Sequence, residues 1–183
     1  MAAICVYLGS RSGHRPAHQE AAVRLGEILA KRGHSLVYGG ARIGLMGKLA
    51  DSVMAHGGQV VGVMPHHLVN REQAHLGLNE LIRVDSMHER KAIMEARSDA
   101  FIALPGGIGT LEELFETWTW RYLDLHRKPV GLLDTEGFYR PLLTFLDSTV
   151  EAGFLGAETR AQLLDAVTPD AMLELIEARL VGV

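Results

Sequence analysis

Short apolar runs alternate with longer amphipathic segments along the chain. Apolar runs of the length expected for buried strands cover residues 4–8, 35–38, 59–64, 81–84, 100–104 and 129–133. The segments between and after them carry apolar residues at helical spacing, and they predict helices over 16–31, 44–56, 87–97, 110–123, 138–151 and 169–180. In the first helix, Pro16 suits the opening turn and Gly33 can close the end.

This alternation of strands and helices predicts a parallel sheet that is covered by helices on both faces and connected by right-handed crossovers. The expected fold class is therefore α/β, as a Rossmann-like three-layer α/β/α sandwich. A chain of 183 residues fits one domain of ordinary size. Since the sequence contains no internal repeat, low-complexity segment or linker, we expect residues 1–183 to form a single domain.

Charge and composition exclude several classes of partner. The net charge is −4 and no block of Lys and Arg is present, so no nucleic-acid partner is expected. No apolar run approaches the roughly 20 residues that span a bilayer, and the first residues lack the basic start of a signal peptide. We expect a cytoplasmic protein without a membrane partner. Cys5 is the only cysteine, and its apolar surroundings predict a buried structural role.

Glycine-rich turns follow three of the predicted strands, at residues 9–13, 39–44 and 106–109. Ligands of open α/β sheets bind beyond the carboxyl ends of the strands, so the three turns should meet at one edge of the sheet. The first turn contains Ser10, and the second contains Gly39 and Gly40. None of the turns has the dinucleotide-binding pattern or the Walker A pattern, which makes hydride transfer and NTP hydrolysis weak hypotheses.

The most informative stretch runs from Pro105 to Glu113, where a predicted strand leads through three glycines into a predicted helix. Gly106, Gly107 and Gly109 let the backbone take positive φ and let an anion approach the backbone N–H groups. A helix that begins near Thr110 would add the positive end of its dipole, an arrangement that favours phosphate. A competing interpretation is a capping box, in which the Thr110 and Glu113 side chains bond the first turn of the helix.

The motif Pro-Gly-Gly-x-Gly-Thr-x-x-Glu at 105–113 resembles the signature of the LONELY GUY family, the cytokinin riboside 5′-monophosphate phosphoribohydrolases. Two further segments support the resemblance, Met-His-Glu-Arg-Lys at 87–91 and the glycine turn at 37–47, and the similarity extends from residue 4 to about 154. It implies a nucleotide-binding domain that hydrolyses the N-glycosidic bond of a nucleoside 5′-monophosphate to the free base and ribose 5-phosphate. The base preference, N6-prenylated adenine or adenine, does not follow from the motif.

Carried over by position, Arg90 and Glu113 are the expected catalytic pair. A carboxylate beside the anomeric carbon can stabilise oxocarbenium-like charge or orient the attacking water. The guanidinium of Arg90 suits either a phosphate or the carboxylate itself. The remaining residues expected to bind substrate are Ser10, Gly39, Gly40, Glu72, Lys91, Gly106, Gly107, Ile108, Gly109, Thr110, Leu111, Glu112 and Thr119. Taken alone, Arg90 and Lys91 would be a solvated helix face and Glu72 a residue of a polar loop.

No metal and no cofactor are expected. Adjacent histidines on an extended segment, such as His66 and His67, point to opposite sides, and neither a carboxylate nor a cysteine lies at ligand spacing. The resemblance implies a homodimer with its sites near the interface. A helical face formed by Ile93, Met94, Leu114, Phe115 and Trp118 is a candidate for that contact, although core packing is the commoner use of such a face.

Three alternative functions compete with glycosidic hydrolysis of cytokinin nucleotides. Relatives have been labelled lysine decarboxylases, which would need pyridoxal phosphate on a lysine, and we reject that label for the lysines at 31, 48, 91 and 128. A non-catalytic carrier of the molybdenum cofactor shares the fold but need not keep both Arg90 and Glu113. A general AMP salvage hydrolase would use every residue named above, so only kinetics can separate it from cytokinin activation.

Overall fold

A computed structural model describes residues 1–69 and 73–181. The strands are Ala3–Tyr7 (β1), Ser35–Tyr38 (β2), Val60–Pro65 (β3), Glu80–Val84 (β4), Ala100–Ala103 (β5), Val130–Leu133 (β6) and Leu163–Ala166 (β7). The α-helices are Pro16–Lys31 (α1), Gly44–Ala55 (α2), Met87–Ala96 (α3), Ile108–Tyr122 (α4), Arg140–Glu151 (α5), Ala157–Gln162 (α6) and Pro169–Leu180 (α7). Short 3-10 turns lie at His66–Leu68 and Thr135–Gly137. Across the described ranges, no helix is long and apolar enough to cross a membrane.

The seven strands form one parallel sheet in the order β4-β3-β2-β1-β5-β6-β7. The chain starts in the middle of the sheet and runs outward to β4, then returns beside β1 as β5 and runs outward again. Ile4 of β1 is accordingly paired with Leu36 of β2 on one side and with Ala100 of β5 on the other. The gap between β1 and β5 is the point where the strand order reverses, the usual place for a ligand in such sheets.

Two separate apolar clusters cover the two faces of the sheet. One cluster contains Leu25 of α1, Leu49 of α2 and Ile176 of α7, all completely buried. The other contains Met94 of α3 and Leu114 of α4. Because the strands are apolar on both faces, they bury side chains on both sides, as parallel sheets require. The Rossmann-like three-layer α/β/α prediction is therefore confirmed.

The helical face considered as a candidate subunit contact is mostly core. Met94 and Leu114 are completely buried and Trp118 is 5% exposed. The indole N–H of Trp118 also donates to the backbone carbonyl of Thr159 within the same chain. These three side chains pack inside the subunit and are not available for a contact between subunits, as the commoner use of such a face predicts.

The six predicted strands and six predicted helices are all present, and two elements were missed. The edge strand β7 has two buried residues in four, and α6 before it is a short polar helix, so neither produces a clear periodic pattern. Helix α5 also begins two residues later than predicted. Glu136 and Gly137 have left-handed φ values of 52° and 73°, and the buried Asp134 carboxylate accepts the Tyr139 N–H at 2.6 Å, which holds this segment as a turn.

Candidate active site

The three glycine-rich turns meet at the carboxyl edge of the sheet, as predicted. The Gly9 N–H donates to the carbonyl of Pro105 at 3.2 Å, which ties the turn after β1 to the turn after β5. Gly44, which opens α2, lies so close to the first turn that a Cβ atom there would be 2.3 Å from the Ser10 carbonyl oxygen. The turn after β1 therefore contacts both of the others at the point where the strand order reverses.

A cleft of about 780 Å³ opens above this edge, a size typical of small-molecule sites. Among the residues predicted to form the site, those that line it are Ser10, Gly39, Arg90, Gly106, Gly107, Ile108, Gly109, Thr110, Glu112 and Glu113. These residues come from four separate segments of the chain, and the fold brings them to one cavity. The sequence motif at 105–113 and the Arg90 segment therefore face the same space.

Helix α4 begins at Ile108, two residues earlier than predicted, and this excludes the capping box at Thr110. The residue before the helix is Gly107, and no side chain caps it. Thr110 is the third helical residue and lies 4% exposed against Gly106. The first backbone bond of the helix runs from the Leu111 N–H to the Gly107 carbonyl at 3.1 Å. The preceding amides lie at the helix start, where N–H groups have no partner within the helix and attract anions.

The three glycines of this turn do not adopt the positive φ that glycine allows. The φ values of Gly106, Gly107 and Gly109 all lie outside the left-handed region. Gly106 is needed because a Cβ atom there would lie 2.1 Å from the Thr110 hydroxyl. At Gly107 and Gly109 a Cβ atom would meet nothing within 4 Å. Glycine at these two positions thus leaves open space beside the helix start.

Glu113 is held over the carboxyl end of β1 by the packing of α4. The Tyr7 and Thr117 hydroxyls are hydrogen bonded at 2.8 Å, and both side chains are buried. Glu113 lies four residues before Thr117, on the same face of the helix. Burial raises the pKa of Tyr7 well above its usual range, and the negative charge of Glu113 contributes to the increase. The carboxylate is therefore one helical turn from the amides at the start of α4.

Arg90 reaches the same space from α3, whose first turn is fixed by a side-chain cap. The Ser86 hydroxyl accepts the Glu89 N–H at 3.1 Å, and the Glu89 carboxylate accepts the Asp85 N–H at 2.9 Å. Arg90 is only 4% exposed, and its Nη2 donates to the Gly39 carbonyl at 3.0 Å. The guanidinium is therefore a buried, fixed positive charge beneath the turn after β2.

The charges of Glu113 and Arg90 both affect the pKa of the buried Cys5 thiol. Burial raises the pKa of Cys5 well above its usual range, the charge of Glu113 raises it further, and that of Arg90 lowers it. A carboxylate and a guanidinium that act on one thiol in β1 lie near the same strand. Cys5 itself is completely buried and protonated at neutral pH, as expected for a structural residue.

Lys91 does not line the cleft. Its Nζ lies 2.5 Å from a carboxylate oxygen of Glu112 and 2.5 Å from one of Glu116. Burial lowers the pKa of Lys91, but hydrogen bonds to the two carboxylates outweigh this effect and leave the pKa above its ordinary value. Lys91 is therefore a charged residue that joins α3 to α4.

Three other predicted site residues, Gly40, Leu111 and Thr119, do not line the cleft, and a fourth, Glu72, has no described position. Leu111 packs at the edge of the apolar cluster on its face of the sheet. Gly40 has a φ of +78° and accepts the His75 N–H through its carbonyl. Thr119 is exposed on α4, about 17 Å along the helix axis from Ile108. Glu72 lies outside the described residues, so its assignment stays a prediction.

Basic and aromatic residues of the cleft wall were missed from the sequence. The loop between β1 and α1 contributes Arg11, His14 and Arg15, and α1 contributes His18. Their position directly after the first glycine turn was the available signal, since that turn was already predicted to reach the site. Phe138, which packs edge-on against His18, carried no such signal because it looks like the first apolar residue of α5.

The lysines of this chain do not fit a Schiff-base cofactor. None of the four lysines, all within the described ranges, lines the cleft. Lys31, Lys91 and Lys128 are each ion paired with glutamates, and Lys48 is exposed on α2. A lysine that forms a Schiff base must lose its proton, whereas the pKa of Lys91 is raised. Within the described ranges, no cluster of three His, Cys, Asp or Glu side chains could hold a metal ion.

Fold and site define a Rossmann-like α/β protein with an open, glycine-bordered helix start beside a carboxylate and an arginine. A family model described as "Possible lysine decarboxylase" matches residues 46–176. The chain is 48% identical over 174 residues to cytokinin riboside 5′-monophosphate phosphoribohydrolase LOG of Oryza sativa subsp. japonica, covering 95% of this chain and 72% of the relative. It is 47% identical to LOG7 of Arabidopsis thaliana, with 95% and 80% covered. The chain belongs to the LONELY GUY family, within that wider group.

Solved structures confirm the fold. The Moco carrier protein of Chlamydomonas reinhardtii matches with a TM-score of 0.74 and 21% identity over 99% of this chain and 98% of that one. The molybdenum cofactor binding protein of Rippkaea orientalis matches with a TM-score of 0.71 and 24% identity, covering 96% and 95%. At such identity the likeness concerns the arrangement of strands and helices alone, since one fold hosts many functions.

Proposed function

We propose that this protein hydrolyses the N-glycosidic bond of cytokinin riboside 5′-monophosphates, releasing the free base and ribose 5-phosphate. One observation carries the proposal: an open, glycine-bordered helix start lies in the same cleft as Glu113 and Arg90. Relatives at 47–48% identity bear the name of this activity. The whole chain acts as one nucleotide-binding domain in this proposal.

The 5′-phosphate binds at the start of α4. Amides at the start of the helix supply hydrogen-bond donors and the positive end of the dipole. Gly107 and Gly109 leave room for the phosphate, because a side chain at either position would project into open space. Arg11, which also lines the cleft, adds positive charge. The 5′-monophosphate is therefore required for tight binding, and a plain riboside should be a poor substrate.

With the phosphate at the helix start, the ribose extends toward Glu113. The carboxylate lies one helical turn further along α4, or about 5.4 Å of helix rise. As the glycosidic bond breaks, positive charge develops on the sugar and the carboxylate stabilises it. The oxygen of water bonds to the anomeric carbon, the electrons of the broken C–N bond leave with the base, and the proton that water loses ends on the base nitrogen. Arg90, which donates a hydrogen bond to the Gly39 carbonyl, completes the polar cluster of the cleft.

The test is release of free base from isopentenyladenosine 5′-monophosphate and from AMP, measured in parallel for wild type and Glu113→Gln. The amide keeps the shape of the side chain but removes its charge. We expect kcat to fall by about a thousandfold. Glu20→Gln, the same change on the exposed surface of α1, is the matched control and should leave kcat at the wild-type value.

Comparing the two substrates also shows which base the protein prefers. A higher kcat/KM for the isopentenyl nucleotide supports cytokinin activation, whereas a higher value for AMP makes this a purine salvage hydrolase. If wild type releases no base from either nucleotide, and a pterin copurifies with it, the carrier function replaces the proposal. Equal rates with the riboside and its monophosphate would refute the phosphate site at α4.

The protein is also proposed to be a homodimer. The last residue of α4 and the segment after it expose Tyr122, Leu123 and Leu125, which are 60%, 56% and 69% exposed. Three exposed apolar side chains within four positions are unusual for a surface that faces only water. Light scattering after size exclusion tests this point. A Leu125→Glu variant that stays dimeric would exclude this surface as the contact.

A further inference from the structure

Arg90 and Lys91 are neighbours on α3, and Glu112 and Glu113 are neighbours on α4. Arg90, Glu112 and Glu113 line the cleft, and Lys91 does not. Lys91 instead turns toward α4, where its ammonium lies between Glu112 and Glu116 at 2.5 Å from each carboxylate. Residues four apart lie on the same face of a helix, so a single ammonium bridges both carboxylates.

Because these groups are partly buried, loss of the contact should have a larger effect than loss of an ion pair on the surface. The Lys91 side chain is 10% exposed, Glu116 is 25% exposed and Glu112 is 50% exposed. Ion pairs on the surface contribute little to stability. When one partner of a buried pair is removed, however, the remaining charge has lost both its partner and most of its solvent. Of the two carboxylates, Glu116 would suffer more from the loss of Lys91.

Charge balance at the start of α4 depends on the same lysine. Glu112, Glu113 and Glu116 all lie within nine residues of the helix start, where a phosphate dianion is proposed to bind. Carboxylates close to a dianion repel it, most strongly where water is excluded, and Glu112 and Glu113 both line the cleft. The single positive charge of Lys91 balances one of the two negative charges of Glu112 and Glu116, and Glu113 is left for the reaction.

We propose that Lys91 is a positioning residue: through its bridge to Glu112 and Glu116 it holds Arg90 and Glu113 in register and shields the phosphate from negative charge. It does not contact the substrate. This assignment differs from the substrate-binding role that the family resemblance implies for Lys91. It rests on the proposed function, because the phosphate and the reaction are those of the same cleft.

The experiment compares Lys91→Met with the double variant Lys91→Met/Glu116→Gln. The single variant removes the positive partner of Glu112, which lines the cleft, and of the poorly solvated Glu116 carboxylate, so KM for the nucleotide should rise about tenfold. The double variant removes that carboxylate charge and should recover most of the loss in KM. If Lys91 donated directly to the substrate, neutralising Glu116 would restore nothing, and an unimproved KM in the double variant would overturn the proposal.

Two further variants keep the test decisive if Lys91→Met folds poorly. Lys91→Arg retains the charge and should keep KM within about threefold of wild type. Lys128→Met is the matched control, because Lys128 is also ion paired with α3, at 2.5 Å from Glu95, and does not line the cleft. It should lower the melting temperature without changing KM. A rise in KM for Lys128→Met as large as that for Lys91→Met would reduce the effect at Lys91 to general destabilisation.

Binding of ribose 5-phosphate separates this proposal from the proposed function. The shift in melting temperature on adding ribose 5-phosphate reports on the phosphate site without any turnover. A wild type that binds ribose 5-phosphate but releases no base would refute the hydrolase function, and the variants would still test Lys91. Weakened binding in Lys91→Met that recovers in the double variant supports the positioning role, whereas unchanged binding in Lys91→Met overturns it.

Discussion

Two glycine-rich turns flank the cleft, and they use glycine for different physical reasons. In the turn after β2, glycine serves the protein itself. Gly44 has a φ of +59° and lies against the Ser10 backbone, while Gly39 lies directly under the Arg90 guanidinium. Every one of these positions is crowded by protein atoms, so the turn works as a scaffold.

In the turn after β5, two of the three glycines are surrounded by open space. Gly107 and Gly109 have neither left-handed φ nor a neighbour within 4 Å of a Cβ position. They leave room beside the start of α4, where we propose that the phosphate binds. The comparison teaches that a glycine pattern in a sequence indicates a close approach, but not whether protein or ligand makes it.

Gly44→Ala should have the largest effect, and the effect is on stability. The methyl group would lie 2.3 Å from the Ser10 carbonyl, at a left-handed φ that alanine disfavours. We expect the free energy of unfolding to fall by about 4 kcal/mol, as for other changes that combine strain with overlap. Urea unfolding measures it.

Gly57→Ala separates strain from overlap. Gly57 also has left-handed φ, at +76°, but a Cβ atom there meets nothing within 4 Å. This control should lose only about 1 kcal/mol, the cost of the backbone conformation alone. If both variants lost the same amount, the contact with Ser10 would be unimportant and the scaffold role of the turn would be wrong.

Gly39→Ala should have the second-largest effect, and this effect is on catalytic activity. A methyl group would lie 2.0 Å from Nη2 of Arg90 and 2.6 Å from the end of the Met46 side chain. Both are tips of flexible side chains, so the fold can adjust, but the guanidinium must leave its place. We expect kcat/KM to fall by about a hundredfold, since small displacements of catalytic groups have effects of this size.

The free energy of unfolding of Gly39→Ala should be measured together with its kcat/KM. Gly39→Ala should unfold within about 2 kcal/mol of wild type, because side-chain tips can yield where backbone cannot. Full activity in this variant would show that the present position of Arg90 is not needed for the reaction.

The sequence predicted the fold well because periodicity decides it. The helices at Pro16–Lys31 and Pro169–Leu180 were predicted with their observed ends, where prolines fix the starts. The edge strand Leu163–Ala166 was missed because an edge strand is half exposed and short. Local pattern cannot identify an element whose stability comes from pairing with β6.

The site was predictable where residues are near in sequence, and less so where the fold assembles it. The motif at 105–113 and the segment at 87–91 both indicated one cleft, which the structure contains. The direction in which Lys91 points was not available from the chain. Adjacent helical residues diverge by about 100°, so Arg90 and Lys91 face different neighbours, and only the packing of α3 against the sheet decides which faces the cleft.

Gly107→Ala tests the open turn and should act on binding alone. The residue has an extended backbone that alanine adopts readily, and its methyl group would project into space. The free energy of unfolding should fall by no more than about 0.5 kcal/mol. KM for the nucleotide should rise about tenfold, because the methyl group occupies space beside the phosphate. An unchanged KM would place the phosphate elsewhere.

Gly109→Ala should have the smallest effect, and it should separate stability from binding. Gly109 is the second residue of α4, where alanine is the better helix former, so stability should rise by about 0.5 kcal/mol. Side chains tilt toward the start of a helix, which directs this methyl group to the phosphate site and should raise KM about threefold.

The same substitution in the scaffold turn gives the opposite result for stability. Gly47 also lies in the first turn of its helix, but a Cβ atom there would be 2.0 Å from the Arg42 carbonyl. Gly47→Ala should therefore destabilise the protein while Gly109→Ala stabilises it. Glycine at position 109 is less favourable for helix stability than alanine, and we infer that it is present because it leaves space for the ligand. Should Gly109→Ala stabilise the fold and bind nucleotide as well as wild type, the open space would have no role in binding.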